Sequence, residues 1–255
     1  MPYPEYATYS MVISPTGART PGSMLRRVTT RVPAKVMRKV PRTSRRAEYS
    51  ASTKRALVAV AGDLFTEQGY AGTSLDEIVA GARVTKGALY HHFSGKQALF
   101  EAVFEQVEAD AAKVISKAVR DRDDPWEKAM SGLRAFLSVV QAPPYKRIVI
   151  AEGPAILGYE RFREQEERST FGIVQGIVSS VLSSSAYELD ESMVETFSRV
   201  FFGAMSAAGA SVSEAEDPRR ASAQVETALA FILTGLRHLA ESGVRLPDPD
   251  DLITD

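Results

Sequence analysis

The 255-residue sequence contains no cysteine, which excludes disulfide bridges, thiol nucleophiles and thiolate metal sites together. Histidine is nearly as scarce. His91, His92 and His238 do not recur at a metal-ligand spacing, so neither a metal site nor a cofactor is expected. No apolar run approaches the roughly 20 residues that span a bilayer. A basic start followed by an apolar core, the mark of an export signal, is also missing, so no membrane partner is expected and the cytoplasm is the expected compartment. There is no phosphate-binding glycine loop and no Ser-His-Asp arrangement, which argues against an enzyme and leaves no catalytic residue to name. Strand-like alternation is absent too, leaving an all-α chain.

What is present is unevenly distributed. A hydrophobic content of 44% at this length can bury a small domain and a larger one. The net charge of -1 conceals an asymmetry: Met24 to Arg55 holds eleven basic residues and one acid, Glu48, whereas the rest of the chain after Arg55 holds nineteen basic and thirty acidic residues. A basic arm beside a helical module is the footprint of a DNA binder, although a solvated tail has the same composition. Pro2, Pro4, Pro15, Pro21, Pro33 and Pro41 interrupt any periodicity in this arm, so residues 1–48 are expected to form a disordered basic extension. Met24 and Met37 are alternative starts within it. Arg38, Lys39, Arg42, Arg45 and Arg46 are candidates to follow phosphates or enter a minor groove.

Helical signals begin at Ala51. Leu57, Val60, Ala61, Leu64 and Phe65 share one face of a helix that should end at Gly69. Ser74-Leu-Asp-Glu77 reads as a capping box that opens a short helix with Leu75, Ile78 and Val79 inward. Thr85 should cap a second short helix running through Tyr90. Ser94-Gly-Lys-Gln97 reads as a further capping box before a longer helix with Leu99, Phe100, Val103 and Val107 buried. Residues 49–110 thus form a helix-turn-helix domain, with Thr85, Lys86 and Gly87 at the start of the helix that fits a major groove. Tyr90, His91, His92 and Lys96 cluster where side chains can grip phosphates, and the helix start at Thr73 and Ser74 can add amide donors. Other roles stay open for some of these residues: Tyr90 can pack across the helix pair, one of the adjacent histidines can turn inward, and the lysines can be solvated. Phe93 is expected in the core.

Four segments of this region, Phe65-Thr-Glu-Gln-Gly-Tyr70, Thr73-Ser-Leu-Asp-Glu-Ile78, Val84-Thr-Lys-Gly-Ala-Leu-Tyr-His-His-Phe93 and Lys96 to Phe100, together resemble the amino-terminal signature of TetR-type transcriptional regulators in order and spacing. The resemblance covers roughly Ser52 to Val107. It implies an amino-terminal three-helix DNA-binding domain followed by a larger helical domain for ligand binding and dimerisation, here residues 111–255. It also implies a ligand-responsive regulator, most often a repressor, that binds a palindromic double-stranded operator as a homodimer and answers to a small-molecule inducer. By the same resemblance, Thr85, Lys86 and Gly87 face the groove, Tyr90 and His92 touch phosphates, and Lys96 adds a backbone contact.

In the larger domain, Asp124-Pro125 and Asp217-Pro218 each pair an N-cap acid with a proline suited to the first helical position. Trp126, Met130, Leu133, Leu137 and Val140 line the first of these helices, and Val225, Leu229, Ile232, Leu236 and Leu239 the last. Further helices are expected at about 159–183 and 191–213, with Gly153-Pro154 and Gly158 breaking the pattern before them. Trp126, Phe136, Tyr145, Tyr159, Phe162 and Phe171 are candidates for an aromatic ligand pocket, or equally for bundle core. Arg161, Arg163, Glu164, Glu166 and Glu167 read as a solvated face with ion pairs. The small residues from Phe201 to Ala210 permit close helix approach, either between two subunits or within one.

Overall fold

Pro41 is the last proline before Pro125, and helix α1, Arg42–Gly72, starts directly after it. A computed structural model describes residues 42–183 and 190–244, with side chains from residue 47 onward. The start of α1 corrects the expected extent of the extension: backbone helix reaches into residues 42–48, because that stretch has no proline or glycine to stop it. The side chains of Arg42, Arg45 and Arg46, with all of residues 1–41, lie outside the described part, and so does the proposed minor-groove reach of Arg38 and Lys39.

The helical path of α1 ends at Gly69, whose φ of 75° and ψ of 170° belong to a region open essentially to glycine alone. The chain turns there into α2, Leu75–Gly81, and α3, Lys86–His92. Both expected caps form. The Ser74 hydroxyl accepts from the Glu77 amide at 3.2 Å while the Glu77 carboxylate accepts from the Ser74 amide at 2.8 Å, and Thr85 Oγ1 accepts from the Ala88 amide at 3.2 Å. Helix α4, Lys96–Arg120, follows. Its expected capping box does not form: Gly95, with extended backbone, takes the N-cap position, and Gln97 reaches away to donate to the Ile156 carbonyl at 2.8 Å.

Helix α4 joins the two halves. Its first turns bury Leu99, Phe100, Val103 and Phe104 beside Leu57, Ala61 and Phe65 of α1 and Ile78 and Leu89 of the two short helices. Phe65, Tyr70 and Phe100 meet with ring centroids 5.3 to 5.8 Å apart. Its later turns, through Ala111 and Ile115, pack on α5, Pro125–Val139, so the expected boundary at residue 110 falls inside a continuous helix. At about 1.5–3 kcal/mol for each large apolar side chain removed from water, this one helix ties the helix-turn-helix module to the larger helical part of the chain.

Helix α5 starts as expected, with Asp124 Oδ1 accepting from the Trp126 and Glu127 amides at 2.7 and 3.1 Å. Beyond it the chain departs from simple helices. A π-helical stretch, Tyr145–Glu152, leads into α6, Gly153–Leu157. The expected helix 159–183 is α7, Tyr159–Glu166, and α8, Gly172–Ser183, separated by a second π-helical stretch, Glu167–Phe171. Each wider turn shifts which residues face inward, a shift that regular periodicity does not encode. Helices α9, Glu191–Glu214, and α10, Pro218–Glu241, complete the described chain, both capped by aspartate, Asp190 and Asp217. No strand occurs among the described residues, and none of their helices is long and apolar enough to cross a membrane.

Candidate nucleic-acid interface and ligand cavity

The turn between α2 and α3 is built by backbone. The Val84 amide donates to the Val79 carbonyl at 3.0 Å, and Arg83 takes a positive φ of 55° to reverse the chain. Close approach of α1 and α2 depends on Gly81, where a Cβ would lie 2.7 Å from Val60 Cγ1. With Ile78, Val79, Leu89 and Phe93 buried, the opposite side of α3 is left to solvent. Thr85, Lys86, Gly87, Tyr90 and His91 are all exposed there, and Tyr90 at 58% does not pack across the helix pair. His92 is half-buried with its ring beside Phe93. Partial burial, then the positive neighbours His91 and Lys54, hold it below the usual imidazole range. Lys54 of α1, not singled out from sequence beyond the basic run, lies over the Phe93 ring at the same edge of the surface.

Four of the expected contact residues are already engaged within the molecule. Lys86 Nζ pairs with Asp76 Oδ1 at 2.6 Å, and this hydrogen bond raises the affinity of the amine for its proton. Thr73 is buried, its hydroxyl donating to the Gly69 carbonyl at 2.8 Å, so its side chain secures the turn and is not on the surface. Lys96 is half-buried: Nζ donates to the Thr73 carbonyl at 2.6 Å and lies 4.4 Å from the centre of the Tyr70 ring. The Ser74 hydroxyl and amide are both taken by Glu77, whose carboxyl is held below its usual range chiefly by the Ser74 hydroxyl.

The larger domain contains a cavity of about 370 Å³. Trp126, Phe136, Tyr145 and Phe162 line it. Tyr159 does not: it is 71% exposed, with its ring near the Arg163 guanidinium. Phe171 does not either, because the π-helical turn directs it edge-on to Phe202, with Arg199 5.3 Å from its ring. Sequence reasoning missed the aliphatic part of the wall, supplied by α8 and α10, and it misassigned Glu166. Arg161, Arg163, Glu164 and Glu167 do form surface ion pairs. Glu166 instead follows Phe162 by one turn and faces the cavity. Burial, then repulsion from Glu108, pushes its carboxyl up to about 7, against the pull of Arg163. Glu108 is itself 2% exposed and its pKa is raised by burial, while the hydroxyls of Ser169 and Tyr145 act in the other direction. No cluster of His, Asp and Glu among the described residues is arranged to hold a metal ion.

The π-helical stretch Tyr145–Glu152 touches both regions. Tyr145 and Val149 face the cavity, while Glu152 accepts from the Tyr70 amide at 2.9 Å and pairs with Arg147 at 3.1 Å. Helices α9 and α10 also leave several large apolar side chains exposed. Val200 of α9 and Phe231, Ile232 and Leu239 of α10 are 64%, 81%, 49% and 45% exposed.

Residues 57–103 match the family model for bacterial regulatory proteins of the tetR family, and residues 126–236 match the tetracyclin repressor-like C-terminal domain. The Transposon Tn10 TetC protein of Escherichia coli is 33% identical over 144 residues, covering 54% of this chain and 72% of that protein. Among solved structures, a TetR-family transcriptional regulator from Pectobacterium atrosepticum superposes with a TM-score of 0.65 at 32% identity, covering 75% of this chain and 96% of that one. A second, from Shewanella sp. PV-4, gives 0.53 at 26% identity over 71% and 95%. With the exposed face of α3 set on a buried helix-turn-helix core and a larger helical domain behind it, the chain belongs to the TetR family of transcriptional regulators.

Proposed function

We propose that this chain is a ligand-responsive repressor that binds a palindromic DNA operator as a homodimer. The observation that carries the reading is the single exposed face of α3, where Thr85, Lys86, Gly87, Tyr90 and His91 stand together above the buried Ile78, Leu89 and Phe93. A helix presented this way can enter a major groove, its first residues against base edges and its last against phosphates. Lys86 exchanges Asp76 for the nucleic acid, an exposed pair that costs little to open. His92 reaches phosphate from the edge of the same face. Lys96 and Ser74 act mainly by fixing the helix starts, Lys96 with its remaining ammonium protons toward the backbone. Dimerisation through α9 and α10 covers the apolar patch around Phe231 and sets two copies of α3 about 34 Å apart, one turn of DNA.

Inducer control rests on the cavity and on the π-helical stretch that joins it to α1 through Glu152 and the Tyr70 amide. A ligand that prefers a different setting of that stretch biases the separation of the two heads, and it does so only by its difference in affinity for the two settings. The test is binding to a labelled fragment from upstream of the protein's own gene, against scrambled DNA at several salt concentrations. Specific binding that weakens by about tenfold in Tyr90→Ala, the loss of one hydrogen bond to a charged group, supports the reading. Equal, weak binding to every fragment in both proteins overturns it.

A further inference from the structure

The cavity wall is apolar except at one place. Glu166 is the only charged side chain among its described lining residues; no lysine, arginine or histidine is among them. The hydroxyls of Tyr145, Thr170 and Ser206 also line the space, with Ser206 Oγ 3.5 Å from Glu166 Oε1. A second carboxyl, Glu108, is buried on α4 and faces the hydroxyls of Tyr145 and Ser169. The basic group acting on Glu166 is Arg163, whose guanidinium is held on the outer face by Glu167 at 3.3 Å and by the Tyr159 hydroxyl at 3.5 Å.

A carboxyl against an apolar wall is costly as an anion unless a counter-charge meets it, and this site has none of its own. An anionic ligand would meet a carboxyl group and no cation. A cationic one would meet Glu166 directly, among the aromatic rings of Trp126, Phe136 and Phe162, a residue type whose ring faces attract positive charge. We propose that the ligand of this cavity is a lipophilic organic monocation, an amine or quaternary ammonium with an apolar body, whose charged end sits against Glu166. The proposal rests on the reading of the cavity as the ligand site and specifies its chemistry.

Trp126 is the only tryptophan of the chain and lines the cavity, so its fluorescence reports occupancy there. The experiment titrates the full-length protein with three probes that share one alkyl chain: decyltrimethylammonium, decanol and decanoate. The expected result is saturable change in Trp126 emission by all that enter, with the ammonium at least about tenfold tighter than decanol and decanoate weakest. Glu166→Gln should erase that preference while leaving decanol binding intact, which also certifies that the variant is folded. Glu166→Asp, which keeps the charge, should retain part of it. Decanol or decanoate binding as tightly as the ammonium, or a preference that survives in Glu166→Gln, overturns the assignment of ligand chemistry and leaves the cavity standing. No response to any probe overturns the cavity reading itself, and the assignment with it.

Discussion

Replacing Thr85 by alanine removes the hydroxyl that accepts from the Ala88 amide and leaves the first turn of α3 without its cap. The expected cost is about 1 kcal/mol, read as a lower midpoint in urea unfolding, with the Ala88 amide keeping its bond to the Thr85 carbonyl at 3.0 Å. Glu166 shows the opposite logic, since its environment disfavours its charge. Its carboxyl binds a proton more tightly in the folded chain, at about 7, than the ordinary 4.5 of the unfolded one. The folded state therefore holds more protons between those values, and this group's contribution to stability is fully present below the lower value and falls as pH rises through the upper. The groups acting on it, Glu108 from α4, Arg163 and Glu167 beside it, Ser206 from α9 and Tyr145 from the π-helical stretch, stay in place in Glu166→Gln. That variant should gain melting temperature relative to the parent at pH about 8 and not at about 5, in calorimetric scans. Equal gains at both would mean that the carboxyl is not titrating.

At the scale of elements, the turn from α1 to α2 is determined by backbone that only one residue type tolerates. A Cβ on Gly69 would fall 2.1 Å from Arg147 Nη2 and 2.6 Å from Glu152 Oε1, at a φ of 75°. Gly69→Ala should therefore cost about 1–3 kcal/mol of stability in chemical denaturation, through backbone strain even if the two flexible side chains withdraw. Glu152→Ala removes the acceptor of the Tyr70 amide and the partner of Arg147. Leaving that amide unsatisfied should cost about 1–3 kcal/mol, and its hydrogen exchange should quicken while that of α5 is unchanged. The end of α1 at Gly69, the caps at Ser74, Thr85, Asp124 and Asp217, and the span of α9 were all legible because each is written in neighbouring residues: an acceptor side chain next to its amides, or a glycine after a periodic face. The box at Ser94 failed for a reason outside that window. Gln97 has a competing acceptor in the Ile156 carbonyl, nearly sixty residues away. The two π-helical turns were not legible either, since they follow from packing against α4 and α9 and leave the local composition ordinary.

At the scale of the whole molecule, α9 and α10 leave Val200, Phe231, Ile232 and Leu239 uncovered in the single chain. If these form the dimer interface, Phe231→Glu should shift the sedimentation mass from two chains to one at micromolar concentration and reduce operator affinity steeply, because one recognition helix then loses the help of the other. An unchanged mass would place the interface elsewhere.

Sequence alone determined the class of the protein. The lack of strand alternation, the ordered motifs from Phe65 to Phe100 and the exposed, capped start of α3 depend on contacts within a few turns of helix, so residue order was sufficient to read them. The larger domain was decided by tertiary structure. Whether an aromatic on a helix lines a cavity or meets solvent depends on what lies across from it: Tyr145 and Tyr159 each follow a helix-breaking residue and precede two charged ones, yet the first faces the cavity and the second is exposed. Glu166 is the sharpest case. Amid four charged neighbours that pair on the surface it reads as one more of them, and only the wider turn after it and the approach of α9 bring its carboxyl to the apolar wall, where the loss of water gives the charge its chemical meaning.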